Sequence, residues 1–182
     1  MPTYTFTTTY DEQTDTFTVS CPANPDLDGE YTYLTSASRN VYVNADETYV
    51  LKHSPYEMSS DSSAEGQTAQ EYNLAHQATP LPPYVNPTIA FNDGPDDILN
   101  KCIAPFVKGE AVQGHGDVWP WHDSYAPGSH RYRFEKDLKE RGYISGDLHR
   151  GNVLLTNPKA RRILDRYTVV DAGFLSDTYD YR

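Results

Sequence analysis

Three oxygen-bearing side chains toward the C-terminal end of the sequence have types and spacing suited to chemistry. Asp147 and Asn152 stand five residues apart in IleSerGlyAspLeuHisArgGlyAsnValLeuLeu at 144–155, and Asp171 opens a tight AspAlaGly turn in ValValAspAlaGly at 169–173. A phosphoryl-transfer centre needs two hard oxygen ligands for magnesium and one carboxylate near the attacking hydroxyl. One carboxamide and two carboxylates, each on a loop beside a strand-like run, supply those groups. A Gly–Asp pair alone is more often a plain turn, so the set carries the reading rather than any member.

The elements that must hold these residues are legible from periodicity. Apolar runs at 152–156 and 167–170 read as strands on either side of the basic loop AsnProLysAlaArgArg. Before them, Ser129 caps a helix in which Phe134 and Leu138 share a face, Glu135 and Lys139 can pair, and Gly142 is the stop. Near the start, Tyr4, Phe6, Thr8 and Tyr10 alternate, a turn at 11–15 follows, and Phe17, Val19 and Cys21 alternate again, which predicts a hairpin. Short antiparallel strands are predicted at 31–34, 41–43 and 48–52, a helix at 63–77 ended by ProLeuProPro, and strands at 88–91 and 101–107. The stretch 109–130 is rich in Gly, Pro, His and aromatics and reads as an irregular crossing.

GlyAspLeuHisArgGlyAsnValLeuLeu resembles the catalytic loop of the protein-kinase-like superfamily, especially its aminoglycoside-phosphotransferase-like and small phage-encoded branches. ValValAspAlaGly resembles the metal-binding DFG element of that superfamily. The resemblance implies Asp147 as base or orienting carboxylate, with Asn152 and Asp171 as magnesium ligands. It extends upstream in order. Residues 34–43, with Ser36 and Ser38, resemble the phosphate-covering hairpin; TyrValLeuLys at 49–52 resembles the strand that carries the lysine, Lys52; and Glu71 stands where that lysine's partner belongs. AlaProPheValLysGlyGlu at 104–110, with Phe106, resembles the linker where adenine hydrogen-bonds the backbone. Implied throughout are ATP and Mg2+ as cofactors, with Lys52 on the nucleotide phosphates and Glu71 holding it by an ion pair.

The fold class expected is α+β, a protein-kinase-like two-lobed fold. Residues 1–29 form a hairpin extension, 30–108 a first lobe built as an antiparallel sheet with one packed helix, and 109–182 a shortened, mostly helical second lobe. Departures from the resemblance are specific. Ser36, Ala37 and Ser38 replace the glycines of the covering hairpin, Ser145 the usual histidine, and Ala172 the middle aromatic, while only nine residues follow Gly173. Three readings stay open: a Mg-ATP-dependent phosphotransferase acting on a hydroxyl acceptor, a catalytically idle kinase-like module serving in binding or in a viral or phage assembly, and a small-molecule phosphotransferase resembling antibiotic kinases, which shares the chemistry of the first and differs in acceptor. The opening hairpin and the Trp119/Trp121 insertion are the surfaces for a protein partner or a second copy.

Composition narrows the partners. The net charge is −11, and it is uneven: residues 1–100 carry −13, with Arg39 and Lys52 as their only bases, and residues 101–182 carry +2. Nucleic-acid binding by the acidic half is not expected. No run approaches the ~18 apolar residues of a membrane span, and MPTYTFTTTY lacks an export pattern, so no membrane partner and a cytoplasmic or virion-associated location are expected. With 37% hydrophobic residues the core is lean, and the 15 tyrosines must help build it. Cys21 and Cys102 read as small buried residues. His115, His122 and His130 lie seven and eight apart, which matches no compact metal motif. Lys159, Arg161, Arg162 and Arg166 read as a solvated basic hairpin.

Overall fold

Period-two alternation in the first half of the chain becomes seven strands. They are β1 (Tyr4–Asp11), β2 (Thr16–Ser20), β3 (Gly29–Ser36), β4 (Asn40–Asn44), β5 (Tyr49–His53), β6 (Ala90–Asn92) and β7 (Lys101–Pro105). The computed structural model describes residues 3–36, 39–54, 63–77, 80–92, 99–112, 129–145, 148, 150–171 and 175–177. They belong to two units, Met1–Thr79 with Pro87–Phe106, and Pro80–Asn86 with Val107–Arg182. No helix among the described residues is long and apolar enough to cross a membrane.

The first unit corrects the expected architecture. Its strands do not make an open sheet with a hairpin appended; they close into a barrel in the order β1-β2-β3-β4-β5-β7-β6. Closure comes from a parallel pairing of β1 with β6, Tyr4 opposite Ala90 and Phe6 opposite Asn92. On the other side β2 pairs with β3, Phe17 opposite Tyr31, so both edges of the opening hairpin are taken up. Every ladder is therefore satisfied by a neighbour, which removes the exposed edges an open sheet would carry. Inside, Phe6, Phe17, Val19, Tyr31, Tyr42, Leu51, Ala90 and Ile103 form the core. Tyrosine does contribute: Tyr31 is fully buried, and its hydroxyl donates to the Leu27 carbonyl at 3.1 Å. The hairpin turn is pinned by Asp15, in the left-handed region at φ 49°, whose carboxylate accepts from Tyr10 at 2.8 Å and Tyr42 at 3.1 Å.

The opposite face of the same ladders is outward. Register sets Val41 beside Lys52, Lys52 beside Cys102, and Cys102 beside Phe91, one row crossing four strands. Helix α1 (Ser63–His76) lies on this row, with Tyr72 stacked edge-on against Phe91 at 5.1 Å and Glu71 reaching Lys52.

The second unit is also unlike the mostly helical lobe expected of it. Its described residues hold one α-helix, α2 (His130–Glu140), two single 3-10 turns and five short strands: β8 (Glu110–Ala111), β9 (Tyr143–Ser145), β10 (Val153–Leu155), β11 (Tyr167–Val169) and β12 (Leu175–Asp177). β10 is central in a sheet ordered β11-β10-β8, and β9 pairs with β12. Segment 84–86 runs parallel beside β11, with Val169 N donating to the Tyr84 carbonyl and Asn86 N to the Val169 carbonyl, both at 2.8 Å. Ser129 caps α2 by accepting from Tyr132 N at 3.1 Å, and Gly142 at φ +88° stops it, as the sequence suggests. Glu135 pairs with Arg131 at 2.9 Å rather than with Lys139. Buried Phe134 sets the helix against Tyr84 and Tyr167, while Tyr84 OH donates to Asp137 at 2.7 Å.

The expected two-lobed kinase-like α+β layout is thus overturned by a closed barrel and a strand-built second unit. Alternation in a sequence tells which face a residue occupies, not which strand will sit beside it. The β1–β6 pairing joins residues more than eighty apart, and no local signal announces it.

Candidate functional site

Glu71 lies at the centre of a buried polar cluster on the outer barrel row, under α1. Its Oε1 accepts from Lys52 Nζ at 3.0 Å and from Arg39 Nη2 at 2.8 Å. Its Oε2 accepts from Thr88 Oγ1 at 2.7 Å and from Cys102 Sγ at 2.8 Å. Arg39 also donates to Thr68 Oγ1 at 3.3 Å, and Thr68 lies 3.4 Å from Ser54 Oγ. The carboxylate of Glu71 is fully enclosed, and Arg39 and Lys52 are buried beside it.

Burial alone would push the Glu71 carboxyl up, but the Arg39 and Lys52 charges, reinforced by the Arg39 and Cys102 hydrogen bonds, hold it well below the usual carboxylate range. The same burial, with the Glu71 charge beside it, pushes the Cys102 thiol up, so Cys102 stays a protonated donor. An ionised Glu71 with four donors is a saturated acceptor, because a carboxylate offers about four lone-pair directions. Such a group cannot rotate without breaking contacts from β5, β7, the residue before β4 and the segment before β6.

Lys52 and Glu71 are therefore brought together. Arg39, Thr88 and Cys102 were not singled out by sequence reasoning, although a signal exists for two of them. Alternation places Arg39 on the face of Val41, and the register sets Val41 and Cys102 on either side of Lys52. That signal needs the strand register, which the sequence alone does not supply.

The other candidates are distributed as follows. Ser36 is exposed at the end of β3, opposite Asn40; Ser38 lies outside the described residues. Phe106 is half-buried, and its amide donates to the Thr48 carbonyl at 2.8 Å. Gly109 makes a close crossing: a Cβ there would lie 2.9 Å from the Leu155 carbonyl oxygen and 3.0 Å from Leu154 Cβ. Asp147 falls outside the described residues, beside the buried Leu148. His115, Trp119, Trp121 and His122 lie outside them too. His130 is buried on α2 with its Nδ1 2.8 Å from Tyr167 OH, a packing role.

Asn152 and Asp171 are placed at one end of one ladder. Val153 pairs with Val169, and Val170 N donates to the Asn152 carbonyl at 2.9 Å, so Asp171 follows directly after the residue bonded to Asn152. Asn152 closes a helical turn, Arg150–Asn152, which takes it out of strand alternation. Both residues are half-buried. A carboxamide oxygen and a carboxylate are hard donors of the kind magnesium takes while keeping waters and phosphate oxygens as its remaining ligands. Among the described residues no three His, Cys, Asp or Glu side chains group to hold a metal by themselves.

No protein-family model matches the chain, and no curated protein matches it. Solved structures do. A complex of WbdD with the kinase inhibitor LY294002 superposes with a TM-score of 0.58 at 13% identity, covering 85% of this chain and 35% of that one. A 2.2 Å structure of WbdD gives 0.55 at 14% identity, with the same coverage of both chains. A structure of the bifunctional kinase-methyltransferase WbdD gives 0.50 at 15% identity, covering 80% of this chain and 31% of that one. The likeness is one of fold. The chain spans about a third of the length of the WbdD structures it matches.

Proposed function

We propose that this chain is a kinase-like phosphotransferase that uses Mg-ATP and passes the γ-phosphate to a hydroxyl acceptor. The observation that carries the reading is the buried Lys52–Glu71 ion pair at 3.0 Å. A lysine held in a fixed direction by an ionised glutamate suits binding of nucleotide phosphates. The fold likeness to WbdD, a bifunctional kinase-methyltransferase, supports the kinase-like part of the reading.

Each residue has a physical task. Lys52 presents a positive charge to the phosphates, and Glu71 fixes its direction. Asn152 and Asp171 would hold magnesium, which when bound offsets charge on the phosphate oxygens. Asp147 accepts a hydrogen bond from the acceptor hydroxyl and aligns it for in-line attack, which is most of what a protein must do when the transition state is loose.

The test begins with thermal unfolding with and without Mg-ATP. Ligand at 100 times its dissociation constant stabilises a protein by about 2.7 kcal/mol. A shift that is lost in Lys52→Met supports the nucleotide site, and no shift in the unaltered chain rejects it. Transfer from labelled ATP should then disappear in Asp147→Asn. Binding without transfer in the unaltered chain would leave the idle nucleotide-binding module.

A further inference from the structure

Two cations share one oxygen of Glu71, and they are held differently. The Arg39 side chain is 2% exposed and uses its fork on Glu71, Thr68 and Cys102. The Lys52 side chain is 9% exposed and meets Glu71 as a point charge on a flexible stem. Were Lys52 the sole counter-charge, moving it to a ligand would strand an ionised carboxylate in the protein interior, a costly event. Here Arg39, Thr88 and Cys102 also donate to Glu71, so three donors are left to the carboxylate without Lys52.

We propose that Arg39 is a positioning residue that neutralises and anchors Glu71, so that the Lys52 ammonium can divide itself between Glu71 and a phosphate-bearing ligand. The ligand class rests on the nucleotide reading above; the division of labour between the two cations does not. The pair is thereby built into the barrel wall: Arg39 immediately precedes β4 and Lys52 stands on β5, and the two strands are joined in register with Val41 opposite Lys52, so the cluster forms as the strands do. Arg39 touches no substrate in this scheme and acts through Glu71.

The decisive experiment measures the Lys52 amine itself. Acetic anhydride labelling at a series of pH values, read residue by residue by mass spectrometry, gives the midpoint and rate for Lys52 in the unaltered chain and in Arg39→Gln. With Arg39 removed, Lys52 becomes the only cation on Glu71 among the described contacts. Its labelling should slow and its midpoint rise by about one unit. An Arg39 that merely braces the fold would leave labelling unchanged or speed it as the wall loosens, and either result overturns the proposal. Mg-ATP titration is the second arm: affinity should fall about tenfold in Arg39→Gln and return to within about threefold of the unaltered chain in Arg39→Lys. If the unaltered chain binds no Mg-ATP, the nucleotide reading fails while the labelling still decides the role of Arg39. Lys52→Met covers the case in which Arg39→Gln does not fold. Because Arg39 still neutralises Glu71, Lys52→Met should keep a cooperative urea transition, and loss of that transition overturns the proposal.

Discussion

The charges on the barrel wall and those on α2 obey different rules. Glu71 is enclosed and draws its donors from four separate stretches of chain. On α2 the ion pairs Arg131–Glu135, Asp137–Arg141 and Lys136–Glu140 join residues four apart on one helix, and the last is about two-thirds exposed on both sides. A helix-surface pair adds a few tenths of a kcal/mol and needs only its own helix. A buried cluster exists only after the tertiary structure does, and losing its shared carboxylate leaves the cations stranded. The contrast separates charges that decorate an element from charges that fix several elements in one arrangement.

Removing Glu71 should break that comparison most visibly. Glu71→Ala leaves Arg39 and Lys52 buried without their shared carboxylate and should cost about 3–5 kcal/mol in urea unfolding. A cost below that of a surface substitution would mean the cluster is not organised as described. Next is Gly109→Ala, where the new methyl meets a backbone carbonyl; about 1–3 kcal/mol is expected from overpacking, read from the thermal midpoint. Tyr84→Phe removes the 2.7 Å bond to Asp137, an anchor between segment 84–86 and α2, and should cost about 1 kcal/mol.

Acid sharpens the comparison inside the barrel unit. His53 has a buried Nδ1 without a hydrogen-bond partner among the described residues, and burial, with Lys101 nearby, pulls its pKa down to about 4 from the usual 6.5. The folded state therefore keeps the ring neutral where the unfolded chain already binds a proton. Stability should fall as pH drops from about 6.5 to about 4, and His53→Gln should flatten that part of a pH–stability curve. Glu71 depends on pH with the same sign, in a lower window. Its carboxyl is held low, so its stabilisation is present above the ordinary carboxylate range and is lost only as pH falls further. Smallest of all is Lys136→Ala on α2, expected to change stability by less than about 0.5 kcal/mol in the same assay.

Much of the local structure is written in period and punctuation. The hairpin at 4–21, the strands around Val41, Lys52 and Ile103, the cap at Ser129 and the stop at Gly142 all follow from alternation, side-chain capping and left-handed glycine, and all are present. The Lys52–Glu71 pairing came from a resemblance in motif order, and the two side chains meet. Arg39 stood out only as one of the two bases of residues 1–100, and nothing tied it to Glu71, because a single arginine in a polar stretch has no pattern of its own. The expected lobes failed for a related reason. Turn residues and alternation say where strands begin and which face is wet, while the choice between an open sheet and a closed barrel depends on whether β1 finds β6.

By itself the amino-acid order determined the strands of the barrel, β10, β11, the helices α1 and α2 and the buried face of α2, and it offered a short set of residues whose types would suit phosphate and magnesium; β8, β9, β12 and the buried face of α1 were not legible in it. Tertiary structure alone decided the barrel, the second cation on Glu71 and the meeting of Asn152 with the strand end before Asp171. Those features are pairings between distant residues, set by register and burial, and the energy that selects them appears only when the whole ladder closes and water leaves the cluster.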